Sequence, residues 1–301
     1  MTETQSAAIG WIGNRIRGWN STTIFLLIPV LLFEIVFFVV PFLLLLRMSA
    51  NAQSTAGFYR SAWTLGSYFE VLQSDLLAGV ILFSFKLGVI ATIFSVAIGL
   101  FYAYATYRAE GLTKSVLLFS VILPLFTTLV AKTYAWRPLL APSGVLNDLL
   151  VSAGLLSSRI SFVPSAFGVV LGQVYIILPY SVLSIYSVLS TLDWDVVEAA
   201  RDLGASRPRS FVEIILPEVM PGIAVATLFS FAWSVGAYAA PSQLGSGQQT
   251  TYAMIVENLM LTQFNWPYGA ALSVLMLLVM LVISLGLFRG LSRLGGGVTD
   301  V

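Results

Sequence analysis

Apolar and polar positions segregate along this chain on the scale of whole segments. Six runs, at 24–46, 77–104, 115–133, 167–190, 222–240 and 269–288, are almost wholly apolar. Each is near the ~20 residues that a helix needs to cross hydrocarbon, so the pattern predicts an all-α, polytopic membrane protein with six spans. Pro29, Pro41, Pro124 and Pro179 fall inside these runs, where a missing backbone donor bends a helix. Arg15 and Arg17 before the first run, with Ala50-Asn51-Ala52 after it, imitate a signal peptide. The run exceeds an ordinary h-region of ~7–15 residues and reads as a retained anchor. Trp11, Ile12, Ile16 and Trp19 interleave with the two arginines, which suits a leader lying in the headgroup zone.

A polar island, 191–221, separates the fourth and fifth runs. Asp193 or Asp195 is placed to cap a short helix, with Glu198 three residues beyond Asp195 in capping-box spacing. Val196, Ala199, Ala200 and Leu203 then share one small apolar face, and Glu198, Arg201 and Asp202 occupy the rest. Gly204 is the stop, because Gly adopts positive φ without a Cβ penalty. Ser206 and Pro208 suit the start of a second helix, which Pro217 and Pro221 end before the fifth run. The island predicts a helix, a hinge and a helix, with a contact face small enough for a partner's groove to approach closely.

Basic residues resist translocation, which orients the chain. With the N-terminus inside, Arg15, Arg17, Arg108, Lys114, Arg201, Arg207, Arg209, Arg289 and Arg293 are cytoplasmic, against Arg47, Arg60, Lys132, Arg137 and Arg159 outside. Reversal would invert this bias of nine to five, so both termini and the polar island are assigned to the cytoplasm.

Composition narrows the chemistry. At 58% hydrophobic and 10% charged, 301 residues cannot hide their apolar surface in a soluble core, so lipid is the expected solvent. A formal charge of +1 gives no electrostatic footprint for nucleic acid. The chain has no Cys and no His, which removes the commonest metal ligands, thiol nucleophiles and His-based triads; no catalytic residue and no metal site is expected. Gly111-Leu112-Thr113-Lys114-Ser115 ends like a phosphate-binding loop. Thr113 stands where the second Gly belongs and no strand precedes it, so the stretch reads as a helix start.

The spacing Glu198-Ala199-Ala200, three residues, Gly204, nine residues, Ile214, one residue, Leu216-Pro217 resembles the signature of the membrane-spanning permease subunits of binding-protein-dependent ABC importers. Phe162-Val163-Pro164-Ser165-Ala166, Gln173-Val174-Tyr175-Ile176-Ile177-Leu178-Pro179-Tyr180, Trp266-Pro267-Tyr268-Gly269 and Thr133-Tyr134-Ala135-Trp136 are similar to the first permease subunit of spermidine/putrescine importers. The resemblance covers roughly residues 77 to 290. It implies a type I ABC importer permease fold in a bacterial inner membrane, divided into an interfacial segment 1–23, a first helix and outer loop 24–76, a transmembrane domain 77–290 with its coupling loop at 191–221, and a cytoplasmic tail 291–301. Partners implied are a second homologous permease, an ATP-binding-cassette ATPase dimer and an extracytoplasmic solute-binding protein. ATP and Mg would be bound by the ATPase, and no cofactor by this chain. The same resemblance gives Glu198, Ala199, Ala200, Arg201, Asp202, Gly204, Ile214, Leu216 and Pro217 the task of ATPase coupling. It points to a polyamine or related amine-bearing cargo, with opine, amino-acid-derivative and aminophosphonate importers using closely similar subunits.

Candidates for the solute path come from charge and aromaticity. Glu34 and Lys86 stand about ten residues into their runs, near mid-membrane at ~1.5 Å per residue, where an isolated charge is costly. Three readings are open: Glu34 as counter-charge to a cationic solute, a Glu34–Lys86 ion pair, or Lys86 meeting the second permease. Tyr134, Trp136, Tyr175, Trp233 and Tyr238 offer ring faces to an ammonium, with interfacial anchoring as the alternative. The stretch 241–266 lacks Lys and Arg; Tyr252, Ile255, Val256, Leu259 and Met260 recur there at helical spacing, as part of an outer gate, a seat for the binding protein, or simple interfacial packing. A gradient-driven secondary transporter and an intramembrane enzyme are the rival classes. No internal repeat favours the first, and charges within spans are too few and scattered for the second.

Overall fold

The structure, a computed structural model, describes residues 21–54 and 57–294, with side chains from 27 to 290. The interfacial leader and the tail beyond 294 lie outside the described residues. Helix α1 (Ser21–Glu34) passes through a π-turn (Ile35–Val39) into α2 (Val40–Ser49). The widened turn sits just before Pro41, whose ring would crowd the carbonyl four residues back in a regular helix. Helix α3 (Gly66–Gln73) leads to α4 (Asp75–Arg108), capped by Ser74, whose Oγ accepts from the Leu77 N–H at 3.3 Å. Among the described residues, four helical stretches are long and apolar enough to cross a bilayer unbroken, and two bent pairs raise the count to six.

The third run differs from the single span 115–133 expected of it. Helix α5 (Gly111–Ile122) tightens into a 3-10 turn (Leu123–Phe126), and the chain then swings through 113° into α6 (Leu129–Tyr134), α7 (Trp136–Leu140) and α8 (Val145–Ser152). Pro124 withholds a donor at the break, Thr127 is extended, and Thr128 restarts the helix by accepting from the Ala131 N–H at 3.3 Å. Hydropathy saw one run because both limbs are apolar.

Helix α9 (Ala166–Leu189) starts at Ser165, which accepts from the Gly168 N–H at 3.1 Å, and keeps Pro179 without breaking. After it come α10 (Trp194–Asp202), α11 (Arg207–Ser210), a π-turn (Phe211–Ile215), α12 (Leu216–Glu218) and α13 (Met220–Val235). Helices α14 (Ala239–Leu244), α15 (Tyr252–Glu257) and α16 (Trp266–Leu294) complete the chain.

Helices α4, α9 and α13 form the central sheaf. Small residues let them touch: a Cβ on Gly99 would stand 2.9 Å from that of Ser181, and one on Gly222 would stand 2.8 Å from the Ser184 carbonyl. Buried hydroxyls bridge all three helices, Ser95 to Ser181 at 2.8 Å and Ser181 to Ser230 at 2.9 Å. Close backbones joined by polar side chains are how helices associate where lipid supplies no hydrophobic drive. Over half of the α9 span is buried (56%), against none of the first span, which joins the body through α2 on α16. Residues 252–259 pack inward, with Leu259 buried beside Phe231 and Leu272 and Tyr252, Ile255 and Val256 against the same cluster.

Candidate functional site: a helical elbow and a membrane-level cavity

The polar island forms an elbow at one end of the sheaf. Asp193 caps α10, its Oδ1 accepting from the Asp195 N–H at 3.1 Å. That choice of cap corrects the expected pairing of Asp195 with Glu198, which lies five residues beyond Asp193, past the capping-box position. Glu198 is exposed and without a partner among the described residues. At the far end Gly204 takes φ +97°, the Ala205 N–H donates to the Ala200 carbonyl at 3.0 Å and the Gly204 N–H to the Arg201 carbonyl at 2.9 Å. This is a Schellman stop, and its positive φ is the reason for glycine. Ser206 heads α11, where its carbonyl accepts from the Ser210 N–H while its hydroxyl makes no capping bond.

Two faces of α10 have opposite fates. Ala199 and Leu203 are exposed, Leu203 at 90%, while Val196 is 52% exposed beside Ile214 and Glu218, and Ala200 is half-buried. Val197 is fully buried with Ile185, Leu189, Ile215 and Val219, so the elbow is rooted in the sheaf. Ile214 and Leu216 pack on that cluster, and Pro217 is exposed. Trp194 is held between Arg108 and Arg201, whose guanidinium carbons lie 4.5 and 5.3 Å from its ring centre. Arg201 also donates to the Ser210 hydroxyl at 3.2 Å, tying α10 to α11, while Asp202 is exposed. Sequence reasoning missed Val197 and Trp194; their spacing of three, continued by Arg201, was the available signal. A hollow of about 280 Å³ between the foot of α9 and the elbow carries Asp193 and Glu218 on its wall.

The path candidates separate into groups. Glu34 and Lys86 are both exposed and form no ion pair, which corrects that option: the first span packs on α16, leaving Glu34 away from Lys86 on α4. Tyr134 lies under the Arg137 guanidinium, 6.0 Å away, in a cavity of about 440 Å³ walled by Pro138, Pro142 and Pro164. Trp136 and Tyr175 meet edge to face at 5.5 Å and 84°. Trp233 and Tyr238 line another cavity of about 400 Å³, with Leu129 and Val130 of α6 and Gln173 of α9. Behind Trp233 lie Tyr180 at 5.6 Å and Phe229 at 5.4 Å, which also meet each other at 4.7 Å. Gln173, Tyr180 and Phe229 were not singled out by residue type, because only the packing of α9 on α13 assembles them. Lys132 shares α6 with Leu129 but is buried and outside this wall.

Residues 95–294, which include the elbow, α9, α13 and the latter part of α4, match the family described as binding-protein-dependent transport system inner membrane component. The chain belongs to that family. The permease is 31% identical over 269 residues to the spermidine/putrescine transport system permease protein PotB of Salmonella typhimurium (strain SL1344), covering 89% of this chain and 93% of the relative. To PotB of Escherichia coli (strain K12) it is 32% identical over 262 residues, covering 86% and 94%. Its fold matches a solved bacterial ABC transporter involved in the import of the acidic polysaccharide alginate, with TM-score 0.76 over 96% of this chain and 99% of that one at 17% identity. The permease is thus an ABC importer subunit of the type I fold, built to move solute rather than to transform it.

Proposed function

We propose that the permease forms one half of a translocation path for a polyamine or a related amine-bearing solute, with a second homologous permease as the other half. The elbow around Gly204 faces the cytoplasm, as do both termini, and there it meets an ATPase dimer that binds ATP and Mg. An extracytoplasmic binding protein delivers solute to the opposite end. The observation that carries the reading is the division of α10: Ala199 and Leu203 are exposed and Val196 is partly so, while Val197 is sealed with Ile185 and Leu189 of α9, Ile215 and Val219. A partner gripping the bare face therefore moves the sheaf. Glu198, unpartnered beside that face, is free to meet a charge on the ATPase.

Cargo is supported by similarity to spermidine/putrescine transport permeases over nearly their whole length. The fold alone does not choose it, since the alginate importer shares that fold. The test is reconstitution of the four-component complex in liposomes with labelled putrescine, spermidine, an opine and an aminophosphonate. ATP-dependent accumulation of the polyamines is expected; uptake of another solute in their place would overturn the cargo, and accumulation without the ATPase would overturn the mechanism.

A further inference from the structure

We propose that Gln173 and the ring cluster of Trp233, Tyr180 and Phe229 form a transit subsite for an organic ammonium group. The inference rests on the amine-cargo reading above and places recognition at named atoms.

Gln173 is 1% exposed and lines the cavity of about 400 Å³ between α6, α9 and α13. Its Nε2 donates to the Ser234 hydroxyl at 3.2 Å. Its Oε1 receives no hydrogen bond from any described residue, yet among the described residues no buried side-chain oxygen or nitrogen is both sealed and unpartnered. The oxygen thus keeps a trace of accessible surface on a residue that walls the cavity. A desolvated acceptor costs free energy unless a donor reaches it, and an alkylammonium brings up to three.

Trp233 supplies the second element. It lines the same cavity and is 38% exposed. Tyr180 and Phe229 stack against it at interplanar angles of 29° and 28°, so its orientation is fixed before solute arrives. A ring face attracts a cation and repels an anion. Among the described residues the wall contains no charged side chain, and this suits transit: a buried carboxylate would hold an ammonium tightly, whereas ring faces and one amide oxygen hold it weakly enough to pass on.

The test uses the intact complex of this permease with its partner permease, ATPases and binding protein in liposomes, reading the KM and kcat of putrescine uptake. Trp233→Leu keeps an apolar side chain without a ring and is expected to raise KM about tenfold, while Trp233→Phe stays within about threefold of the parent. Gln173→Leu is expected to raise KM similarly, and Gln173→Glu to lower both KM and kcat by holding the ammonium too well. Co-purification of the ATPases checks assembly, and if Trp233→Leu does not assemble, the two Gln173 variants decide. Parental KM in assembled Trp233→Leu or Gln173→Leu overturns the subsite alone. A parent complex that takes up neither putrescine nor spermidine overturns the cargo reading, and the subsite falls with it.

Discussion

Ser181 on α9 meets Ser95 on α4 through their hydroxyls at 2.8 Å, and this contact exists only because Gly99, one turn on, has no side chain to hold the helices apart. Ser181→Ala removes a hydroxyl that also reaches Ser230, and hydrogen bonds between membrane helices average about 0.6 kcal/mol. A loss of about 1 kcal/mol is therefore expected. Ser181→Leu drives a larger side chain into the Gly99 approach and should cost more, since overpacking adds about 1–3 kcal/mol. Thermal unfolding of the purified complex in detergent would order the two variants.

At Gly204 backbone conformation, not space, should set the cost of a substitution. Nothing lies within 4 Å of where that atom would sit, so the penalty is the backbone at φ +97°. Gly204→Asn is expected to be mild, Gly204→Ala to cost about 1 kcal/mol and Gly204→Val more, because β-branching resists positive φ. Solute-stimulated ATP hydrolysis by the complex should fall in the same order, and equal activity of the Val variant would remove the elbow from the coupling mechanism.

Val197 and Leu203 should part company. Val197→Ala empties two methyl groups from a fully buried site and is expected to destabilise by about 2 kcal/mol. Leu203→Ala, on a residue 90% exposed, should leave stability within about 0.5 kcal/mol while weakening retention of the ATPases during purification. Comparing melting temperature with co-purified ATPase for each variant separates anchoring from docking.

Glu34 lines neither the Trp233 nor the Tyr134 cavity. Glu34→Gln is therefore expected to leave the KM for putrescine within about twofold of the parent, the spread of a side chain away from the binding site. A large rise in KM would return this carboxylate to the path as a counter-charge.

Much of the architecture was legible because crossing hydrocarbon imposes length and apolarity on contiguous residues. Four of the six runs recur as unbroken membrane-length helices, while the third and fifth recur only within pairs of helices bent by 113° and 66°; Gly204 was readable because positive φ and residue type are linked. The break after Phe126 was hidden, since hydropathy is blind to direction and Pro124 alone marks a bend without its angle. The Glu34–Lys86 pairing failed for a related reason: equal depth in two helices says nothing about whether those helices adjoin. Gln173 and the Tyr180–Phe229–Trp233 cluster draw residues from two helices, and spacing within one helix cannot reveal such a grouping.

The swing at Thr127 also limits how far α5 reaches. The twelve α-helical and four 3-10 residues before it rise about 26 Å, short of the ~30 Å of hydrocarbon. Leu129 and Val130, just past the swing, wall the cavity that holds Trp233. The swing thus leaves α5 and its 3-10 turn short of a full crossing and sets the chain that follows them beside the Trp233 ring.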